Sequence, residues 1–257
     1  MRSQLGYPAA DGCDVQPWRL STIVPSEFVW LRYTIESEIT APCMLGYEYA
    51  DSVLFNGKDI PVSKDGWYVD KEIYTMRLPM LVKGKNELIV RVPISARISM
   101  ENLFLLGDFG IETLGEHTKI TELPSVLTFD ALRKQGMPFY GANITYKIPF
   151  VCDAGDLTVV ADYYIGALIS ARLDGIEIGK IVSPPYKLQI ENVKRGEHLL
   201  ELTLYGTRGN TFGALHLTTP KNWKGPDMWY SGNNMWSYEY CLHDMGIMKK
   251  PELTLKK

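Results

Sequence analysis

The stretch Phe28-Val29-Trp30-Leu31-Arg32-Tyr33-Thr34-Ile35 has a period of two. Every second residue from Val29 onward is hydrophobic, and the residues between them are Trp30, Arg32 and Thr34. Successive side chains of a β-strand point to opposite faces, so this pattern predicts a strand whose core face carries Val29, Leu31, Tyr33 and Ile35. The same alternation recurs in the segments 88–94, 144–150, 157–161 and 200–204. The sequence therefore predicts an all-β fold.

Short turn motifs separate these segments. Asn56-Gly57 and Asp174-Gly175 are typical of two-residue β-hairpins, and further turn signals stand at 64–66, 83–86 and 194–196. This spacing of strands and turns predicts an antiparallel sandwich. One helix is predicted, from about Thr128 to Gln135, with Thr128 as its cap and Gly136 as the left-handed residue that ends it.

The two halves of the chain carry a similar order of strands and turns. Residues 53–60 resemble residues 171–178, and residues 82–90 match residues 193–201. The two copies lie roughly 110 to 120 residues apart. We therefore predict two consecutive jelly-roll β-sandwiches, 1–122 with an N-terminal lead-in and 123–257 with an aromatic-rich C-terminal segment. The predicted boundary lies between about Leu114 and Gly136, where Pro124 interrupts the strand pattern.

These motifs carry a resemblance to known families. The first half resembles the galactose-binding-like, sugar-binding domain of glycoside hydrolase family 2, through Asn56-Gly57, Trp67-Tyr68, Asp70, Gly84 and Asn86. The second half is similar to β-sandwich regions of bacterial α-L-rhamnosidase-like glycoside hydrolases, through residues 135–140, 184–186, 210–216 and 240–247. Those enzymes carry out their chemistry in a (β/α) barrel, and no alternating strand–helix region stands in this sequence. The resemblance therefore implies an accessory module that binds sugar or braces a catalytic domain.

Composition and charge exclude several classes of function. The chain has 257 residues, 46% of them hydrophobic and 22% charged, which is typical of globular proteins. Its formal net charge of -3 and its lack of a Lys/Arg-rich run argue against nucleic acid as a partner. No apolar stretch reaches the roughly 18 to 20 residues of a membrane helix, so no membrane partner is predicted.

Two observations bear on the cellular compartment. Residues 1–15 lack the basic start and apolar block of a signal peptide. The four cysteines, Cys13, Cys43, Cys152 and Cys241, stand far apart without a C-x-x-C pair, which predicts reduced thiols rather than a disulfide framework. Both observations favour a cytoplasmic protein. A secreted parent stays open if this sequence is part of a longer chain.

Three groups of residues are candidates for carbohydrate binding, because sugars are bound by flat aromatic faces combined with amide, carboxylate or guanidinium groups. The first group is Trp67, Tyr68 and Asp70. The second is Arg208, Asn210 and His216. The third is the aromatic segment 220–240, in which Trp229 and Trp236 are the leading candidates. The alternative for all three is structural, since large aromatics also seal sandwich edges and seams between domains.

Catalytic motifs are weak in this sequence. Asp70 with Glu72 is the best local carboxylate pair for glycoside hydrolysis. In the structural alternative, Asp70 accepts hydrogen bonds from nearby backbone groups. The four histidines lack metal-ligand spacing and no G-x-S-x-G motif is present, so no catalytic residue, cofactor or metal is predicted, while a structural calcium ion stays open.

Three hypotheses for function remain. The first is a non-catalytic, carbohydrate-associated module of a larger glycoside hydrolase, with carbohydrate and an upstream catalytic domain as partners. The second is a stand-alone glycosidase or lyase with its site on a sheet face. The third is a structural module for protein–protein interaction.

Overall fold

The fold is all-β, as predicted. The computed structural model describes residues 27–94, 103–213, 215–218 and 237–256. Its backbone contacts divide the chain into two compact units. The first unit comprises Met1–Leu123 with His216–Tyr240, and the second comprises Pro124–Leu215 with Cys241–Lys257.

Two sheets build the first unit. Its described strands are β1 (Glu27–Ser37), β2 (Ala41–Tyr47), β3 (Ser52–Phe55), β4 (Lys58–Ile60), β5 (Gly66–Tyr68), β6 (Asp70–Leu81), β7 (Gly84–Ile94), β8 (Leu103–Leu106), β9 (Gly110–Leu114) and β10 (His117–Thr121). One sheet has the order β4-β3-β7-β1-β10-β9 and the other the order β5-β6-β2-β8. Strand pairs in both sheets are antiparallel except β1 with β10.

The hydrophobic core of the first unit lies between these sheets. Val53, Phe55 and Val90 of one sheet and Leu45 and Met76 of the other are fully buried in a single cluster. Val29, Leu31 and Ile35 pack against this cluster, as their alternation predicts. Tyr33 shares their phase but is exposed, in contrast to the prediction. Trp30, Arg32 and Thr34 are exposed, so the outer face of β1 is the predicted one.

The second unit is built from three sheets. Its described strands are β11 (Ile144–Cys152), β12 (Gly155–Val160), β13 (Tyr164–Ile165), β14 (Leu168–Leu173), β15 (Ile176–Ile181), β16 (Lys187–Val193), β17 (Gly196–Tyr205), β18 (Gly246–Ile247) and β19 (Glu252–Lys256). The strand orders are β11-β17-β14-β15, β16-β12-β19 and β13-β18. Leu157 and Val159 of one sheet meet Ile169, Leu200 and Leu202 of another in a second buried core.

The predicted helix is shorter than the sequence suggested. A single 3₁₀ turn covers Leu132–Gln135, and Gly136 ends it at φ +78°, the left-handed conformation that was predicted. Thr128 does not begin a helix. Its N–H and its hydroxyl donate to Gln135 Oε1 at 2.7 and 2.9 Å, which ties the segment before the turn to the end of it. A second short helix, α1 (Gly209–Phe212), was not predicted.

Both predicted hairpin turns are present. Asn56 and Gly57 have φ values of 50° and 75°, and Asp174 and Gly175 have φ values of 51° and 81°. Two consecutive left-handed residues form the turn that matches the twist of a two-stranded hairpin. These turns join β3 to β4 and β14 to β15.

The two units share one strand order. In the first unit, β4-β3-β7-β1 lie side by side in one sheet. In the second unit, β15-β14-β17-β11 lie side by side, and these four strands follow one another along the chain in the same order as their counterparts in the first unit. The opposite sheets repeat the order as well, with β6-β2-β8 in one unit and β16-β12-β19 in the other. The repeat found in the sequence is therefore a repeat of topology.

A polar bridge between two turns is repeated along with the strands. In the first unit the Asn56 N–H donates to Glu87 O and the Glu87 N–H donates to Asn56 Oδ1, both at 2.8 Å. Asn56 Nδ2 also donates to Asn86 Oδ1 at 3.0 Å, and Asn86 Nδ2 donates to Val82 O at 2.8 Å. This bridge joins the β3–β4 turn to the turn before β7.

The second unit builds the same bridge with a charged pair. The Asp174 N–H donates to Leu199 O at 2.9 Å and the Leu199 N–H donates to Asp174 Oδ1 at 2.8 Å. His198 Nδ1 lies 2.7 Å from Asp174 Oδ2, and its Nε2 lies 2.9 Å from Lys194 O. His198 thus corresponds to Asn86, and Lys194 to Val82. The sequence comparison aligned Val82 with Val193, whereas the hydrogen bonds align Val82 with Lys194, one residue later.

The charged bridge predicts a pH-dependent stability. Both ring nitrogens of His198 face oxygen acceptors, and only the protonated ring has two N–H donors. The hydrogen bond to Asp174 is the main cause that raises the pKa of His198, followed by that to Lys194 O. A histidine whose pKa is higher in the folded than in the unfolded state stabilises the fold fully at pH values below its unfolded-state pKa of about 6.5. This stabilisation is lost as the pH rises through the folded-state pKa. We expect the urea midpoint to fall over this range.

His198→Asn introduces the neutral residue of the first unit, so it should remove this part of the pH slope. The matched control is His117→Asn, which changes an exposed histidine of β10. An equal pH slope for the wild type and His198→Asn would contradict the prediction. Asp174 does not confound the test, because its pKa is lowered by the Leu199 N–H and by His198, so its contribution is lost only on acidification.

The described parts of residues 216–240 differ from the predicted division of the chain. Residues 216–218 and 237–240 group with the first unit, although the boundary at 122/123 assigned them to the second. An ideal Cβ on Gly115, in the β9–β10 turn, would lie 3.6 Å from Glu239 Oε1, so this segment runs beside that hairpin. A return of the chain to an earlier unit leaves no periodic signal in the sequence.

Candidate functional site

An exposed tryptophan stands on the outer face of the six-stranded sheet in the first unit. Trp30, on β1, is 55% exposed. It lies opposite Arg91 on β7, which lies opposite Ser52 on β3, so the three form one row across three strands. We call Trp30 and the polar and aromatic side chains around it the Trp30 platform, formed by Phe28, Trp30, Arg32, Asp51, Glu87 and Arg91.

Arg91 is fixed at the centre of this platform. Its guanidinium carbon lies 3.9 Å from the centre of the Phe28 ring and 6.0 Å from that of Trp30. Its Nη1 lies 2.6 Å from Asp51 Oδ2, and the Asp51 N–H donates to Arg91 O at 2.8 Å. The aromatic face and the carboxylate together hold the cation in place.

A second ion pair borders the platform. Arg32, two residues after Trp30 on β1, donates from Nε to Glu87 Oε1 at 2.6 Å, and its Nη2 lies 2.5 Å from the same oxygen. Each guanidinium of the platform is therefore matched by one carboxylate. The surface combines hydrogen-bond donors, hydrogen-bond acceptors and an exposed indole without a net charge.

The second unit shows that the fold does not need an aromatic residue here. The row that corresponds to Trp30, Arg91 and Ser52 consists of Thr145, Thr203 and Ser170. The hydroxyls of Thr145 and Thr203 are 2.8 Å apart, which satisfies both side chains. The sequence analysis placed Trp30 on the outer face but not in a site. The signal it carried was a tryptophan in the polar phase of an alternating strand.

Trp67 is a second exposed tryptophan and was predicted as a site residue. It is 58% exposed and lies on β5, opposite Tyr74 on β6. The Lys64 ammonium lies 3.6 Å from the centre of the Tyr74 ring. Tyr68, the next predicted residue, packs instead against Phe104, with ring centres 5.4 Å apart.

Asp70 has the contact that the structural alternative predicts. Its Oδ1 accepts a hydrogen bond from the Glu72 N–H at 2.9 Å. It also lies opposite Tyr68 across the tight turn at Val69, whose φ is 65°. Asp70 therefore stabilises the β5–β6 connection.

Arg208 and Asn210 lie at helix α1 in the second unit. Arg208 is exposed, and its carbonyl accepts the N–H groups of Thr211 and Phe212 at 3.1 and 2.9 Å. Asn210 is only 7% exposed. Its Nδ2 donates to Pro138 O and His243 O at 2.9 and 2.8 Å, and its Oδ1 accepts the His243 N–H at 2.9 Å. Its side-chain amide thus joins three segments of the chain.

His216 belongs to the first unit, so the structure does not group it with Arg208 and Asn210. Its Nδ1 lies 2.8 Å from Ser237 O, and its ring centre lies 4.9 Å from that of Tyr240. These contacts hold residues 237–240 against His216. Trp229 and Trp236, the predicted residues of the aromatic segment, lie outside the described residues.

A polar cavity of about 510 Å³ lies elsewhere in the first unit, lined by Glu38, Ile39, Lys83, Thr121 and Glu122. Lys119 Nζ lies 2.7 Å from Glu38 Oε1, and this contact is the main cause that lowers the pKa of Glu38. Within the described ranges, no three His, Cys, Asp or Glu side chains come together as a possible metal site. In the same ranges, no helix has the length and hydropathy needed to cross a membrane.

No family model and no curated protein matches this sequence. Among solved structures, the chain is similar to a rhamnosidase from Novosphingobium sp. PP1Y, with 14% identity and a TM-score of 0.37 over 87% of this chain and 22% of that one. It is also similar to a GH2 β-galacturonidase from Eisenbergiella tayi, with 18% identity and a TM-score of 0.28 over 46% of this chain and 21% of that one. A lectin from Pleurotus ostreatus, in complex with GalNAc, matches with 9% identity and a TM-score of 0.25 over 70% of this chain and 68% of that one.

The chain spans about a fifth of the length of the two glycoside hydrolases that it matches. Its structural neighbours thus include glycoside hydrolases and a lectin. The jelly-roll and galactose-binding-like assignments stay predictions.

Proposed function

We propose that this chain is a carbohydrate-binding β-sandwich module of a larger glycoside hydrolase and that the Trp30 platform is its binding surface. One observation carries the proposal. Trp30 is exposed beside two arginine–carboxylate pairs, and the second unit has at the corresponding position Thr145, whose hydroxyl is hydrogen-bonded to that of Thr203. The fold thus accepts a small polar side chain at this place, so the exposed indole has to be explained by something other than folding.

The chemistry of the platform suits a sugar. The apolar C–H face of a sugar ring stacks on an indole, while its hydroxyls need both donors and acceptors at the edge of the ring. Arg91 and Arg32 supply N–H donors, and Asp51 and Glu87 supply carboxylate acceptors. The strands of a sandwich hold these groups in fixed positions, which reduces the entropy lost on binding.

We assign the module a non-catalytic role. A glycosidase needs one carboxylic acid whose pKa is raised, so that it can protonate the leaving group. Both carboxylates of the platform are instead held in ion pairs, Asp51 with Arg91 at 2.6 Å and Glu87 with Arg32 at 2.5 Å. Stabilised carboxylates of this kind suit hydrogen bonding and ion pairing.

Trp30→Thr introduces the residue of the corresponding position in the second unit, so it should leave the fold intact and remove the stacking surface. We expect the affinity for the bound polysaccharide to fall by roughly tenfold or more. The measurement is native affinity electrophoresis of the full chain in gels containing a panel of soluble polysaccharides. Far-ultraviolet circular dichroism and the urea midpoint should match those of the wild type.

Trp67→Thr is the matched control, because Trp67 is exposed to nearly the same extent and was itself predicted as a contact. Retardation that survives Trp67→Thr and disappears in Trp30→Thr supports the platform. The reverse result would move the binding surface to Trp67. An absence of retardation by every polysaccharide of the panel would contradict the binding function.

A further inference from the structure

We infer that the ligand of the Trp30 platform is the interior of an uncharged polysaccharide chain, as opposed to an acidic glycan or a free monosaccharide. This inference rests on the proposed function and names the class of ligand for the same surface. Two properties of the platform carry it: the pairing of its charges and the row of residues that it forms across neighbouring strands.

The charges of the platform are paired within the protein. Arg91 is bound to Asp51 at 2.6 Å, and Arg32 is bound to Glu87 at 2.5 Å. A uronate, sulfate or sialate group would have to compete with these carboxylates for the same guanidinium donors and would meet their negative charge at short range. Such like-charge contacts disfavour the anionic ligand.

Uncharged hydroxyls meet no such competition. A guanidinium has five N–H donors and a carboxylate has about four acceptor positions, so each ion pair retains capacity for further hydrogen bonds. A hydroxyl is both a donor and an acceptor, and it therefore suits a border where the two alternate. The pair of Arg91 and Asp51, across from Trp30 on the neighbouring strand, and the pair of Arg32 and Glu87, further along the same face, form such a border.

The shape of the platform favours the interior of a chain. Trp30, Arg91 and Ser52 form a row across β1, β7 and β3, which neighbouring strands space at about 4.8 Å. A ligand stacked on Trp30 can continue along this row over the sheet. A chain end or a single sugar is bound best by a walled pocket that buries most of its surface.

The test uses the full chain in affinity gels with two kinds of probe. The uncharged probes are hydroxyethylcellulose, galactomannan, arabinan and dextran, and the acidic probe is polygalacturonate. We expect retardation by at least one uncharged polymer, loss of that retardation in Trp30→Thr, and little change in it between low and high NaCl, because no net charge is neutralised. The component monosaccharides, added at the same mass concentration, should not compete.

Asp51→Asn tests the charge argument directly. This variant releases Arg91 from its carboxylate and leaves Trp30 in place, so it should gain retardation by polygalacturonate that high salt abolishes. The ion pair of Arg32 and Glu87 is unchanged in this variant, so a gain in retardation can be attributed to the release of Arg91. An unchanged response to polygalacturonate would contradict the argument that charge pairing excludes acidic ligands.

The outcomes separate this inference from the function on which it rests. Trp30-dependent, salt-sensitive binding of the wild type to polygalacturonate would overturn the inference and retain the carbohydrate-binding function. Competition by a monosaccharide would overturn the assignment to a chain interior. Failure to bind any of the five polymers would overturn both.

Discussion

Asn86→Ala is expected to lower the free energy of unfolding of the first unit by about 3 kcal/mol. Asn86 is 1% exposed, and its amide bonds to both backbone groups of Val82. The Val82 N–H donates to Asn86 Oδ1 at 2.9 Å, and Asn86 Nδ2 donates to Val82 O at 2.8 Å. Alanine would leave these groups and the Asn56 amide without their partners. The substitution removes these three hydrogen bonds, and each contributes about 1 kcal/mol.

The measurement is urea denaturation combined with hydrogen–deuterium exchange by mass spectrometry. Exchange in peptides from β3 and β7 should accelerate, because the bridge joins the turns at the ends of these strands. Lys85→Ala is the matched control, since Lys85 is the exposed neighbour of Asn86 on β7. A midpoint for Asn86→Ala equal to that of Lys85→Ala would contradict the prediction.

Asn210→Ala is expected to destabilise the second unit by a similar amount, about 3 kcal/mol. The substitution removes the partner of Pro138 O, of His243 O and of the His243 N–H at once. These groups lie in two segments far from Asn210 in the sequence, at Pro138 and at His243, so the loss of their hydrogen bonds should loosen the loops around α1. The sequence suggested Asn210 as a carbohydrate contact, and its burial instead predicts an effect on stability.

The same two measurements check this prediction in the second unit. Peptides that contain Pro138 and His243 should exchange faster in Asn210→Ala, while those of β3 and β7 should keep their rates. Arg208→Ala is the control, because Arg208 precedes the same helix but is exposed. If Asn210→Ala kept its urea midpoint and lost only polysaccharide binding, Asn210 would be a contact and the structural role would be wrong.

The fold could be predicted from the sequence because its signals are local. The alternation in β1 and the Asn56-Gly57 and Asp174-Gly175 turns depend only on neighbouring residues, and the structure confirms them except at Tyr33. The predicted helix at Thr128 fails because of a side-chain contact within the same segment. The Gln135 side chain bonds back to Thr128, which replaces the first helical turn with an irregular segment.

The equivalence of the two units could be predicted only approximately. Comparison of residue types aligned Val82 with Val193, whereas the hydrogen bonds align Val82 with Lys194. Asn86 and His198 have no chemical similarity along the sequence. They correspond because each reaches the carbonyl four residues earlier and the Asx residue of the hairpin turn, a role that exists only once the strands are paired.

The candidate site depended on pairing between distant strands. The sequence by itself determined that the chain is all-β, where its hairpins turn and that Trp30 faces away from the core, because side-chain alternation and turn preference act over a few residues. Tertiary structure decided which partners surround Trp30. Asp51 and Arg91 are 40 residues apart, and Arg32 and Glu87 are 55 apart, so only the register of β1, β3 and β7 brings them to one surface. Tertiary structure also decided that Asn86 in the first unit and Asn210 in the second are buried, since hydrogen bonds between distant segments form only after the backbone has fixed their distance.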